Sequence, residues 1–279
     1  DTGKAIVKPE SKPALDEVAK LLKGDPGLRL WVVGHTDSVG TVEDNMRLAQ
    51  ALHAEGASLV LTYQNERLRE NVDELAATLS PAPLLLPCDV TADAEVAAVF
   101  EGIAARHGGL DLLVHGAAFA PREALAAPFV QTSREAFRVA LDVSAFSLVA
   151  LAAGAVPLMA QRGGGAILTL TYLGAERVFP NYNVMGVAKA ALETSVKYLA
   201  SDLGPQGIRV NAISAGPVKT LAAAGISGFS SILGVYRDRA PLRRTIETSE
   251  VADAALFLLG PGGRAITGEV LMVDAGYSI

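Results

Sequence analysis

The stretch Ala166-Ile-Leu-Thr-Leu-Thr-Tyr172, followed by a helix-length segment and then by Ile208-Arg-Val-Asn-Ala-Ile-Ser214, decides the fold. Both runs are mostly apolar or β-branched and too short for helices, so they read as strands buried on both faces. The same rhythm continues outward from them. Leu30–Val33, Leu59–Tyr63, Leu84–Asp89, Leu110–His115 and Val270–Asp274 are strand-like, with helical stretches of about 12 residues or more between most of them. This alternation predicts an α/β fold: a doubly wound parallel sheet with helices on both faces and ligands at the carboxyl ends of its strands.

Composition agrees. Of 279 residues, 50% are hydrophobic and 19% charged, which excludes a disordered chain and suits a large core. The net charge of −6 is a poor match for a nucleic-acid binder. A single cysteine, Cys88, excludes an internal disulfide framework, and His35, His53, His107 and His115 have no zinc-ligand spacing, so no metal site is predicted. The longest apolar stretch, Ala145–Ala160, holds Ser147 and Pro157 and lies between Asp142 and Arg162. It falls short of the ~20 residues that span a bilayer and reads as a buried helix, with no membrane insertion expected. The start, Asp1-Thr-Gly-Lys4, is no secretory signal and lacks an initiator Met, so an upstream segment could have been removed.

Charge is unevenly spread: 15 charged residues lie in 1–50 and 39 in 51–279. No linker marks the change, which falls inside an expected helix from Thr41 (with Asp44 as a capping partner) through Leu48 and Leu52 to Gly56. Upstream the order reads β-α-β-α: a strand at Ala5–Val7, a helix started by Ser11 and Pro13 and stopped by Gly24 and Pro26, the strand Leu30–Val33, and the loop Gly34–Gly40.

The chemistry-bearing stretch is Tyr172-Leu-Gly-Ala-Glu-Arg-Val-Phe-Pro-Asn-Tyr182-Asn-Val-Met-Gly-Val-Ala-Lys189. If it is helical from Tyr182 on, the seven residues to Lys189 make about two turns and put both side chains on one face. Tyr172 ends a strand, where such a sheet places its active site. An ammonium beside a phenol favours the phenolate and lowers its pKa, giving a proton donor or oxyanion stabiliser at neutral pH. The same spacing also fits plain packing of two rings and an aliphatic stem.

Residues from about Ala51 to Ile279 resemble the bacterial enoyl-acyl-carrier-protein reductases, a divergent branch of the short-chain dehydrogenase/reductase superfamily with a Rossmann-like sheet. The resemblance is carried, in order, by Ala51-Leu-His-Ala-Glu-Gly-Ala, Thr62-Tyr-Gln-Asn-Glu-Arg-Leu, Cys88-Asp-Val, Phe119-Ala-Pro, Leu170-Thr-Tyr-Leu-Gly-Ala-Glu-Arg, Asn181-Tyr-Asn-Val-Met-Gly, Arg209-Val-Asn-Ala-Ile-Ser-Ala-Gly-Pro and Pro241-Leu-Arg-Arg-Thr. The commoner superfamily pattern puts Lys four after the catalytic Tyr; here that place is Gly186 and the lysine stands seven after. The resemblance implies reduction of trans-2-enoyl thioesters on acyl carrier protein in fatty acid biosynthesis, with catalytic Tyr172, Tyr182 and Lys189. Tyr182 would meet the thioester oxygen, Lys189 the nicotinamide ribose, and Tyr172 the substrate pocket, with Ala120 a further substrate contact. For the cofactor it implies Gly34, Gln64, Asp89, Val90, Gly116, Ala117, Lys189 and the segment Val218, Lys219, Thr220, Leu221 and Ala222. A neutral Gln64 favours NADH over NADPH, with Arg67 as a counter-indication. Gly116-Ala-Ala-Phe departs from the family's Ser-Ile-Gly-Phe. The resemblance also implies a homotetramer and a cytoplasmic setting. Arg237, Arg239, Arg243 and Arg244 read either as a solvated face or as a docking patch for an acidic carrier protein.

Residues 1–50 are similar instead to the first half of an OmpA-like peptidoglycan-binding domain, through Gly3-Lys-Ala-Ile-Val-Lys-Pro-Glu-Ser, Leu28-Arg-Leu-Trp-Val-Val-Gly-His-Thr-Asp and Asn45-Met-Arg-Leu-Ala-Gln. That family's peptide-binding aspartate would be Asp37; Leu52 stands where its arginine partner is expected. An envelope setting follows if this front end carried a signal. The chain then reads as a chimera, in which residues 1–50 stand in for the first Rossmann βα unit of a domain over 51–279. The usual phosphate loop is replaced by Gly34-His-Thr-Asp-Ser-Val-Gly40, where Asp37 would repel a pyrophosphate. The alternatives left open are a catalytically silent chimera with residual peptidoglycan affinity, and a reductase of another carbonyl or enoyl substrate.

Overall fold

A computed structural model describes residues 29–33, 41–218 and 229–279, with side chains over 47–218 and 233–279. Its centre is a parallel seven-stranded sheet in the order β3-β2-β1-β4-β5-β6-β7. The strands are β1 (Arg29–Val33), β2 (Ser58–Tyr63), β3 (Leu84–Pro87), β4 (Leu112–His115), β5 (Gly165–Thr171), β6 (Ile208–Ala215) and β7 (Val270–Val273). Strand β1 sits in the interior of the sheet, with Val33 paired to Thr62 of β2 on one side and to His115 of β4 on the other. The chain winds β1 to β3 in one direction and β4 to β7 in the other, so the order reverses between β1 and β4, the point at whose carboxyl ends sheets of this kind bind ligands.

The helices follow from local signals. Helix α1 (Thr41–Ala54) runs unbroken across the change in charge density and stops short of Gly56, whose φ is +93°. Helix α2 (Glu66–Ala77) is started by Asn65, whose side chain accepts the Leu68 N–H. Helix α3 (Asp93–His107) ends at Gly108 in the left-handed region, φ 69°. A short α4 (Arg122–Ala126) precedes α5 (Arg134–Leu141), which Ser133 caps by accepting the Ala136 N–H. Beyond α6 (Ser147–Ala160) come α7 (Asn183–Leu203), α8 (Phe229–Arg239) and α9 (Thr248–Leu259), the last opened by a reciprocal Glu247–Glu250 capping box.

Two apolar layers hold the sheet. One packs α3, α6 and α7 on one face through Phe100, Leu113, Leu148, Leu151, Ile167 and Leu192; the other packs α1 and α9 on the opposite face through Leu48, Leu52, Leu61, Leu168, Ile213 and Leu258. Each fully buried leucine contributes roughly 1.5–3 kcal/mol. Gly154 lets α6 approach α3, since a Cβ there would lie 2.2 Å from the Phe100 ring.

Three expectations need correction. Asp142 does not bound a separate apolar helix. A π-helical turn (Asp142–Phe146) fuses α5 and α6 into 27 helical residues, Arg134–Ala160. By length and composition that run is long and apolar enough to cross a membrane, with mean hydropathy 2.0 over 18 residues, half of that window being buried in the fold. Strand β4 begins at Leu112; the Leu110 N–H bonds to the Leu158 carbonyl instead of the ladder. Strand β3 ends at Pro87, leaving Asp89 in the loop. The expected strand Ala5–Val7, the helix after it and the loop Gly34–Gly40 lie outside the described residues, as does the Thr41–Asp44 cap.

Candidate active site

Strand β5 ends at Thr171 and delivers Tyr172 to the carboxyl edge of the sheet. The Tyr172 ring stacks edge-on to Tyr182, with centroids 5.1 Å apart, and tilts against Phe179 at 5.0 Å. Tyr182 is the residue that opens α7, between two asparagines in the left-handed region (Asn181, φ 62°; Asn183, φ 38°). Asparagine tolerates left-handed backbone better than most residues with a Cβ. Here the Asn183 amide donates to the carbonyls of Leu125 and Ala127 at 2.9 and 2.7 Å, tying α4 to the start of α7.

Lys189 follows two turns later, buried, with Nζ donating to the Leu170 carbonyl at 2.8 Å. The structure thus brings Tyr172, Tyr182 and Lys189 to one end of β5. Two glycines make this possible. A Cβ on Gly174 would lie 2.4 Å from the Tyr182 ring, and one on Gly186 would lie 2.7 Å from the Gly174 carbonyl oxygen. A lysine four residues after Tyr182 has no room, because that position touches backbone.

Sequence reasoning missed four side chains here. The Tyr236 hydroxyl of α8 lies 2.8 Å from the Tyr172 hydroxyl, and its ring stacks on Tyr277 at 3.6 Å. Thr171 donates to Glu193 Oε1 at 2.7 Å. Burial, followed by repulsion from Glu176, pushes the Glu193 carboxyl up, while the Thr171 hydrogen bond, Lys197 and Lys189 oppose it. Glu193 stands one turn after Lys189, a helical spacing legible in sequence; Tyr236 is 64 residues from Tyr172 and carries no local signal. The lowering expected beside Lys189 concerns its helix neighbour Tyr182; the Tyr172 phenol is governed by burial. Burial pushes it up to about 12, the Tyr236 hydrogen bond opposing and Tyr277 adding to the rise.

On the side of the reversal in strand order, Gln64 follows β2 and its amide donates to Asp89 Oδ2 at 3.2 Å. Asp89 is held in turn by its own N–H to Glu95 Oε2 and by accepting from Thr91. Val90 is buried beside it. Gly116, Ala117 and Ala118 leave β4 as three small buried residues. Phe119 fixes that loop by exchanging hydrogen bonds with the Ser144 hydroxyl, which the π-helical turn points inward. Ala120 packs in a small cluster with Val184, Met185 and Ala188 beneath Tyr182. Val218 is half-buried and packs against the core layer that α1 and α9 share. Gly34, Lys219, Thr220, Leu221, Ala222 and Asp37 lie outside the described residues.

Of the arginine cluster, Arg244 forks onto Glu250 at 2.7 and 2.6 Å and Arg243 donates to the Asp238 carbonyl, while Arg237 and Arg239 are exposed on the last turn of α8. Cys88 is buried, its thiol pushed up to about 12 by burial and by Glu95 and Asp89. It is a packing residue and no nucleophile.

A family model described as enoyl-(acyl carrier protein) reductase matches residues 46–278, and a model of the OmpA family matches residues 1–55. An enoyl-acyl-carrier-protein reductase (NADH) FabI of Bacillus cereus is 55% identical over 233 residues, 83% of this chain and 90% of that protein. The crystal structure of the Bacillus cereus enoyl-acyl carrier protein reductase with NADP+ and indole naphthyridinone is similar at a TM-score of 0.85 and 52% identity, over 90% of this chain and 96% of the other. The reductase of Anaplasma phagocytophilum in complex with NAD gives a TM-score of 0.84 and 46% identity, over 90% and 94% of the two chains.

Proposed function

The chain belongs to the enoyl-(acyl carrier protein) reductase family, and from that premise we propose that it reduces trans-2-enoyl thioesters on acyl carrier protein to saturated acyl thioesters, with NADH, in fatty acid biosynthesis. The observation that carries this reading is the meeting of Tyr172, Tyr182 and Lys189 at the carboxyl end of β5.

The residues around the reversal in strand order fit a dinucleotide. Three small residues after β4 leave room for a sugar, and Gln64 and Asp89 offer a neutral amide and a carboxylate on the adenosine side. An amide suits a ribose hydroxyl better than a phosphate, which supports NADH over NADPH. Gln64, Asp89, Val90, Gly116, Ala117 and Val218 would hold the cofactor, together with Gly34 and Lys219 to Ala222. When bound, the reduced nicotinamide supplies a hydride to the β-carbon of the enoyl thioester.

The chain's own residues then manage charge. Negative charge gathers on the thioester oxygen as the double bond is reduced. The Tyr182 hydroxyl donates to that oxygen, and Lys189 adds a fixed positive charge nearby while binding ribose hydroxyls. Tyr172, whose pKa of about 12 keeps it protonated at neutral pH, borders the substrate as a donor. Ala120 keeps the floor of the site small.

Residues 1–50 enter this reading as structure: they supply the first βα unit of the domain that 51–279 completes. Peptidoglycan binding gains no support, because Leu52, in the place of the expected arginine, is 3% exposed in the core. The reading extends to a homotetramer and to the cytoplasm, where carrier-bound acyl chains and NADH are found. The test is NADH oxidation by the purified chain with crotonyl and dodecenoyl thioesters, beside carbonyl substrates. Tyr182→Phe should lower kcat by about 100-fold or more. Activity equal to that variant's, or confined to carbonyl substrates, would remove the proposal.

A further inference from the structure

We propose that Tyr236 is a positioning residue for this reaction, one that aims the Tyr172 hydroxyl and makes its aim depend on where α8 sits. The inference rests on Tyr172 being part of the reductase site.

Tyr236 is 2% exposed and its hydroxyl sits 2.8 Å from that of Tyr172. A buried phenol needs a partner for its hydroxyl. A hydroxyl has one proton and can both donate and accept. With Tyr236 donating, Tyr172 keeps its own proton for a group entering the site, so the pair orients the Tyr172 proton toward substrate. With Tyr236 removed, the Tyr172 hydroxyl is free to rotate about its C–O bond.

The Tyr236 ring is itself fixed from behind. It lies flat on Tyr277, with centroids 3.6 Å apart and planes 15° from parallel. Tyr277 belongs to a tight C-terminal turn in which the Asp274 carboxylate accepts the N–H groups of Gly276 and Ser278 at 2.9 and 2.8 Å. Gly276 (φ +87°) backs onto Pro241, and the Leu242 N–H bonds to the Ala275 carbonyl at 3.2 Å. Arg177, five residues after Tyr172, donates to the Ser278 carbonyl. The C-terminal turn therefore braces Tyr236, and Tyr236 holds Tyr172.

The experiment is a double-mutant cycle with Tyr236→Phe and Tyr172→Phe, measuring kcat and KM with NADH and a dodecenoyl thioester, with thermal unfolding alongside. Phenylalanine keeps the stack on Tyr277 and removes only the hydroxyl. Tyr236→Phe should lower kcat about fivefold, leave the KM for NADH unchanged, and cause no further loss in the Tyr172→Phe background. Wild-type kcat in Tyr236→Phe, or losses that multiply in the double variant, would overturn the proposal. So would a Tyr172→Phe variant of full activity. Tyr182→Phe separates the two failures: if it is inactive while the cycle is multiplicative, the reductase reading stands and only the role of Tyr236 falls.

Discussion

Replacing Gly186 by alanine tests how the site is assembled. The new Cβ would lie 2.7 Å from the Gly174 carbonyl oxygen, whereas ordinary contact begins at 3.4 Å. Backbone must therefore give way by about 0.7 Å, either in α7 or in the turn after β5. Overpacking of this kind costs roughly 1–3 kcal/mol. The displaced parts carry Tyr182 and Lys189 on one side and Tyr172 on the other, so the strain falls on their mutual placement. A misplacement near 1 Å can cost about 100-fold in rate. We expect Gly186→Ala to fold, to unfold at lower urea, and to lose between about 10- and 100-fold in kcat/KM. Gly204→Ala is the activity control: apart from its chain neighbours a Cβ there meets nothing within 4 Å, and it lies at the end of α7 away from Tyr182. That variant should keep full activity but gain no stability, because Gly204 precedes Pro205 and a Cβ on its helical backbone crowds the proline ring. If Gly186→Ala matched wild type in both rate and stability, the close approach of α7 to Gly174 would not be what sets the tyrosine–lysine geometry.

Further outcomes follow from other contacts. Burial raises the Tyr172 pKa to about 12 from the ordinary phenol value of 10.0, so the protonated phenol favours the fold below pH 10; that contribution, on the order of 2 kcal/mol, is lost as pH rises through 12. The difference in urea midpoint between wild type and Tyr172→Phe should shrink from pH 9 to pH 12, and a difference that grows would contradict it. Cys88, with its thiol near 12, should resist alkylation at pH 8 in the folded protein and react at once in urea; rapid labelling of the native chain is the contrary result. Arg209 donates to the Leu258 and Leu259 carbonyls at the end of α9, at 2.5 and 2.9 Å. Arg209→Met should cost about 3 kcal/mol in chemical denaturation by orphaning buried carbonyls, and an unchanged midpoint would show that water replaces it.

The strands were legible because five of the seven lie within a sheet covered on both faces, and such strands are almost wholly apolar. Their edges were less so. Leu110 is buried like a strand residue yet bonds to α6, since burial and ladder pairing are separate conditions. Asp142 looked like a boundary, but a π-helical turn accommodates it half-exposed and carries the helix on. At the site, Tyr182 and Lys189 could be grouped from spacing alone because they share a helix. Tyr236 could not, since only the fold brings α8 and the C-terminal turn back to β5.

Strand β1 belongs to the stretch that matches the OmpA family, and its neighbours β2 and β4 both belong to the stretch that matches the reductases. A cut at residue 50 would thus strip out an inner rung and leave two raw backbone edges facing an empty slot. Each edge would expose amide and carbonyl groups ready to zip onto a neighbouring molecule. Kinship divides this polypeptide in two, but its hydrogen-bond ladder does not, and a fragment beginning at β2 should either precipitate or capture a replacement strand supplied as a separate peptide.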